Sequence, residues 1–157
     1  MDLTDLVRGV NHHIERTLEL KLKSAGLSLQ QYRVMEALAA QNGQPMGGLA
    51  ARLFLDGPTL TRIIDRMVAS AEVYRGPDPH DRRKVLVFLS RKGEAQFNGV
   101  SATGASLEQE VREHLGAPQA ATLARLLAEL IDLPPSPHRP PARKDGTAGQ
   151  KKPGLRG

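Results

Sequence analysis

Residues 59–67 read Thr59-Leu60-Thr61-Arg62-Ile63-Ile64-Asp65-Arg66-Met67, and residues 78–89 read Asp78-Pro79-His80-Asp81-Arg82-Arg83-Lys84-Val85-Leu86-Val87-Phe88-Leu89. In the first stretch Leu60, Ile63, Ile64, Met67 and the following Val68 recur at helical spacing and predict one buried face. The opposite side then presents Thr59, Arg62 and Arg66 at i, i+3 and i+7, with Thr61 and Asp65 on its flank. In the second stretch the period changes from 3.6 to 2. Residues 84–89 form a β-rich run, and Val73-Tyr74-Arg75 supplies a partner strand. Between the two runs lie residues 76–83, rich in turn formers and too polar to bury. A helix with a cationic face is thus followed by a hairpin with a charged tip.

Working outward, Leu3, Leu6, Val7, Val10, Ile14, Leu18 and Leu22 predict a first helix over residues 3–23, stopped at Gly26. Ser28 with Gln31 three residues on reads as a capping box, opening a second helix with Tyr32, Met35 and Leu38 inward and Asn42-Gly43 at its end. After Pro45, Leu49, Ala50 and Leu53 predict a short third helix, weakened at its start by Gly47 and Gly48. Asp56 is placed to cap the fourth, with Pro58 in its first turn. Beyond the hairpin, Ser90 opens a fifth helix carrying Phe97, Val100, Leu107, Val111 and Leu115. Its internal Gly99 and Gly104 each cost about 1 kcal/mol relative to alanine and mark a bend or a close helix approach. After Gly116, Pro118 starts a sixth helix with Leu123, Leu126, Leu127, Leu130 and Ile131. From residue 134 onward proline, glycine and basic residues predict a disordered tail. The expected fold class is mainly α with a small β-hairpin wing, a winged helix-turn-helix over about residues 28–92.

Composition narrows the function. The chain has 157 residues, no cysteine and no tryptophan, which suits one compact domain or two small intergrown units and excludes disulfides, thiolate zinc sites and cysteine nucleophiles. No apolar run approaches the roughly 18 residues of a membrane helix, and Asp5, Arg8 and His12 break the N-terminal segment, so a cytoplasmic protein is expected. The formal charge of +5 resides in the last 24 residues, where six basic groups face Asp145, while residues 1–133 hold 16 basic and 16 acidic groups. That balanced portion is polarised. Residues 52–92 carry nine basic groups against five acidic ones, and residues 94–132 six acidic against two basic. The middle of the chain is the part suited to an anion. There is no nucleophile elbow, phosphate loop or zinc-protease helix pattern, and no enzyme, cofactor or catalytic residue is expected. His12 and His13 are adjacent on a helix and do not face each other, which argues against a metal site.

A helix displaying threonine and arginine suits the major groove of DNA, where arginine reaches guanine bidentately and threonine meets a base, a phosphate or a thymine methyl. A narrow tip bearing Arg82 and Arg83 suits the minor groove, and Asp81 beside them is placed to orient an arginine by a charge-assisted hydrogen bond. Leu27-Ser28-Leu29-Gln30-Gln31-Tyr32, Leu49-Ala50, the 59–67 helix, Asp78-Pro79-His80-Asp81-Arg82-Arg83 and Leu89-Ser90-Arg91-Lys92-Gly93 together resemble the multiple-antibiotic-resistance-regulator (MarR) family over residues 3–133. The resemblance implies a homodimeric, ligand-responsive transcriptional regulator, expected to repress from a near-palindromic operator in double-stranded DNA. It implies dimerisation helices at about 3–24 and 91–133, recognition helices in successive major grooves and wings in the minor groove. Carried over, DNA contacts fall on Thr59, Thr61, Arg62 and Arg66 and, at the wing, on Asp81 with Arg83; Arg82 joins them by its place on the charged tip. A small aromatic or anionic effector would be sought at His13, Arg16, Tyr32 and Met35. The alternatives are an interaction module that keeps the winged fold and a metal-responsive regulator without an organic effector. One departure stands out. Family members usually carry glycine and then a large apolar residue before the first wing strand, where this chain has Ala71 and Glu72, and alanine lacks glycine's ease at positive φ.

Overall fold

In a computed structural model, residues 1–135 are described. The order is α1 (Leu3–Leu22), a 3-10 turn (Lys23–Ala25), α2 (Leu29–Ala40), β1 (Gln44–Pro45), α3 (Met46–Leu53), α4 (Gly57–Ala69), β2 (Val73–Pro77), β3 (Val85–Leu89), α5 (Arg91–Asn98), α6 (Ala102–Leu115) and α7 (Ala117–Ile131). The basic tail expected from residue 134 lies, apart from its first two residues, outside the described residues.

Local chemistry sets the element ends. Asp2 accepts from the Asp5 N–H at 2.8 Å and caps α1. At α2 both halves of the capping box are formed: Gln31 N–H donates to Ser28 Oγ at 3.1 Å, and Ser28 N–H donates to Gln31 Oε1 at 2.8 Å. Gly26 takes φ 67° after the 3-10 turn and Gly43 takes φ 78° beyond α2, conformations open to glycine at no steric cost. Despite Gly47 and Gly48, α3 forms, held by fully buried Leu49 and by Ala50. Tertiary burial outweighs the poor helix propensity there.

Met1–Ala117 form one compact unit. Its core joins Leu18 and Leu22 of α1, Tyr32, Val34, Met35 and Leu38 of α2, Leu49 of α3, Leu60, Ile63, Ile64 and Met67 of α4, Val73 and Val87 of the sheet, and Val100. The sheet has three strands in the order β1-β3-β2, both pairings antiparallel. Val73 pairs with Leu89 and Pro77 with Val85, and Gln44 of β1 pairs with Val87. The wing is therefore not a free hairpin: β1 backs its root, and buried Gln44 donates from Nε2 to Ala37 O at 2.7 Å.

Three expectations need adjusting. The predicted fifth helix is two helices, α5 and α6, because the chain breaks at Gly99–Ser101 and buries Val100 in the turn. Gly104 lies where α6 crosses α2: a Cβ there would come within 2.4 Å of the Tyr32 hydroxyl oxygen. Val68, expected inward, is 37% exposed, since Ile64 and Met67 already fill the inner face of α4. The apolar stripe of α1 is buried only at its C-terminal end, whereas Leu3, Leu6, Val7 and Val10 are exposed.

The second compact unit begins at Pro118 and contains nearly all of α7. Leu123, Leu126, Leu127, Leu130 and Ile131 of α7 share an apolar stripe at helical spacing, and all five are exposed.

Candidate nucleic-acid interface

The cationic face of α4 is built from its N-terminus. Asp56 accepts from the Thr59 N–H at 2.8 Å and, through its other oxygen, from the Thr59 hydroxyl at 2.7 Å. These hydrogen bonds hold its carboxyl below the usual aspartate range. Thr61 donates its hydroxyl to Gly57 O at 2.9 Å, so both threonine side chains are ordered against the first turn of the helix. Arg62 and Arg66 project from the exposed face; Arg66 Nε donates to Arg62 O at 3.3 Å, which lays its stem along the helix. Neither guanidinium enters an ion pair among the described residues.

The wing tip carries the second cationic group. Asp81 accepts from the Arg83 backbone N–H at 3.2 Å and from Arg83 Nε at 3.1 Å, and its second oxygen from Nη2 at 3.4 Å. Arg83 stays 91% exposed at its side chain while held in this pairing. The bonds from Arg83 keep the Asp81 carboxyl below its ordinary range. Arg82 is exposed beside it.

Helix and wing are tied to one another. Arg75 Nη2 of β2 donates to Asp65 Oδ1 of α4 at 2.6 Å. The helix end is a Schellman motif, with the Ala71 N–H donating to Val68 O and the Glu72 N–H to Met67 O, both at 2.9 Å. The motif places Ala71 at φ 57°, the left-handed conformation that alanine tolerates poorly. Glu72 is 4% exposed, and both of its carboxylate oxygens accept from Gln31 Nε2, at 3.0 and 3.1 Å. Neither tie is signalled by the sequence. Asp65 was only a flank residue, and a glutamate between helix and strand carries no signal of the glutamine 41 positions earlier that satisfies it.

Among the described residues the four effector candidates fall at three separate places. His13 borders an open groove with Met1, Leu6 and Val10, and Arg16 a separate depression with Leu20, Lys23 and Leu27. Tyr32 and Met35 are core residues. The Tyr32 hydroxyl donates to Glu36 Oε1 at 3.1 Å, and burial with that nearby carboxylate pushes the phenol up to about 12. No cluster of three or more potential metal ligands occurs among the described residues.

The MarR family model matches residues 25–84, which run from the turn before α2 to the wing tip. The multiple antibiotic resistance protein MarR of Escherichia coli K12 is 32% identical over 127 residues, spanning 80% of this chain and 88% of that protein. The chain belongs to the MarR family. A crystal structure of a mutant E. coli MarR complexed with operator DNA superposes with a TM-score of 0.72 at 32% identity, covering 82% of this chain and 92% of that one. The homoprotocatechuate degradative operon repressor of E. coli is 29% identical over 112 residues, 71% of this chain and 76% of that protein. The fold is thus the winged helix of MarR-type transcriptional regulators, and no helix among the described residues is long and apolar enough to cross a membrane.

Proposed function

We propose that this MarR-family regulator acts in the cytoplasm as a homodimeric repressor, reads a near-palindromic operator and has no catalytic activity. The observation that carries this reading is the pairing of two exposed cationic elements. The Arg62–Arg66 face of α4 is free of ion pairs among the described residues, and the Arg83 tip belongs to a wing tied to that helix through Asp65 and Arg75. A ready-made helix face can read base edges in the major groove, while a narrow arginine tip follows the adjacent minor groove. Thr59, Thr61 and Arg82 add contacts to phosphate or base, and Asp81 sets the aim of Arg83. The operator-bound relative at 32% identity supports the same reading.

Twofold symmetry would place two such elements one helical turn apart. The exposed apolar residues of α1 and α7 are the surfaces that a second copy would cover. For a small aromatic or anionic effector, His13 at the open groove of α1 and Arg16 at a separate depression are the starting points, with Tyr32 and Met35 entering only if the core opens beside them.

Sites selected from random DNA should be palindromic, with half-sites about 10 base pairs apart. On such a site Arg62→Ala should cost about 1–3 kcal/mol of binding in a gel-shift titration and relax preference at one position of each half-site. Unchanged affinity would remove Arg62 from the interface.

A further inference from the structure

We infer that Gln31 and Glu72 form a latch that positions the wing, binding the root of β2 to the first turn of α2. This deepens the operator-binding reading and rests on it for its functional consequence.

One side-chain amide joins the two elements. Gln31 Oε1 accepts from the Ser28 N–H at 2.8 Å, completing the capping box, while its Nε2 donates to both oxygens of Glu72 at 3.0 and 3.1 Å. Donor and acceptor ends of the same group are thereby spent in two directions, one toward the start of α2 and one toward the wing. Glu72 has no cationic partner among the described residues, and a carboxylate at 4% exposure is costly unless hydrogen-bonded. Removing the Gln31 donor therefore leaves an unsatisfied buried anion at the wing root.

The junction around Glu72 has little slack. Glu72 O accepts from the Ser90 N–H at 3.0 Å and from the Ser90 hydroxyl at 2.9 Å. Ala71 O accepts from that hydroxyl at 2.6 Å, and Lys92 Nζ donates to Ser70 O at 2.6 Å. A Cβ on Gly93 would lie 2.1 Å from Glu72 O, so α5 rests directly on this backbone. With its neighbours fixed, a displaced Glu72 carries Val73 and the rest of β2 with it. Wing direction is what decides whether Arg83 meets a groove.

The test uses the full chain. Gln31→Glu keeps the capping box, because glutamate at that position also accepts from the Ser28 N–H, but it sets a second carboxylate against Glu72. The change Q31E should speed amide exchange at Val73, Tyr74 and Arg75 in the DNA-free protein and weaken operator binding about tenfold. It should also shrink the effect of Arg83→Ala below about twofold while leaving the effect of Arg62→Ala intact, a pattern that general destabilisation does not produce. Adding E72Q to Q31E supplies a donor from the other side and should restore both readouts; E72Q alone, which keeps an acceptor for Gln31, should stay near wild type. Unchanged exchange in Q31E, or no recovery in the double variant, overturns the latch. If the wild-type protein selects no operator, the functional reading fails instead, and the exchange measurements still decide the latch.

Discussion

The α2–β3 region and the outer helical faces on α1 and α7 share one pattern, apolar residues at 3.6-residue spacing, with opposite outcomes. In α4 the pattern is satisfied within the chain: Leu60, Ile63, Ile64 and Met67 are buried against the neighbouring helices and sheet. In the first half of α1 the same kind of stripe faces out, with Val10 at 56% exposure, and the stripe on α7 is exposed along its length. Sequence periodicity reports that a face must be covered, not what covers it. Contiguous apolar faces of this kind mark association surfaces. The winged region is thus the self-sufficient part, and the exposed faces of α1 and α7 are left uncovered among the described residues.

The largest effect is expected in the core. Ile64 is fully buried, so Ile64→Ala should cost about 2–5 kcal/mol of stability in denaturant titration, through lost transfer energy and the cavity left behind. A loss well under 1 kcal/mol would mean that the winged region is less tightly packed than described. Leu126→Asp on α7 should leave the core transition of dilute protein nearly unchanged but weaken self-association at least about tenfold, or 1.4 kcal/mol, by sedimentation. If instead it melted the winged region at all concentrations, the two regions would not be separable. The smallest effect sharpens the wing itself. Asp81 is held below its ordinary range by Arg83, so its contribution to ordering the tip is present above the unfolded aspartate value, near 3.9, and is lost as pH falls through the lower folded value. Carboxyl NMR titration should place Asp81 below a free aspartate, and Arg83→Ala should bring it back up.

Much of the fold was legible because local signals agreed with tertiary ones. The caps at Ser28, Asp56 and Ser90 all form, and the cationic face of α4 falls on the side that the apolar spacing leaves over. What escaped was non-local. β1 is two residues long and includes a proline, too short to show any period, yet it pairs with a strand more than 40 positions away. The split between α5 and α6 follows from Val100 turning into the core, a demand set by packing that glycine content alone signals only as a bend. Of the candidate site, the α4 arginines could be read from spacing, and an arginine partner for Asp81 from its neighbours, with Arg83 singled out by the family resemblance. The Glu72–Gln31 contact could not, because a buried carboxylate looks like any surface glutamate until its donor is found.

The left-handed Ala71 has a consequence for the history and handling of this protein. A one-nucleotide codon change to glycine would relax the strained hinge between α4 and the wing, so the chain sits a single mutational step from a sturdier version of itself. Laboratory selection for heat resistance should find that step early, and the relaxed hinge would show whether a taut junction is merely tolerated or helps the protein let go of its operator.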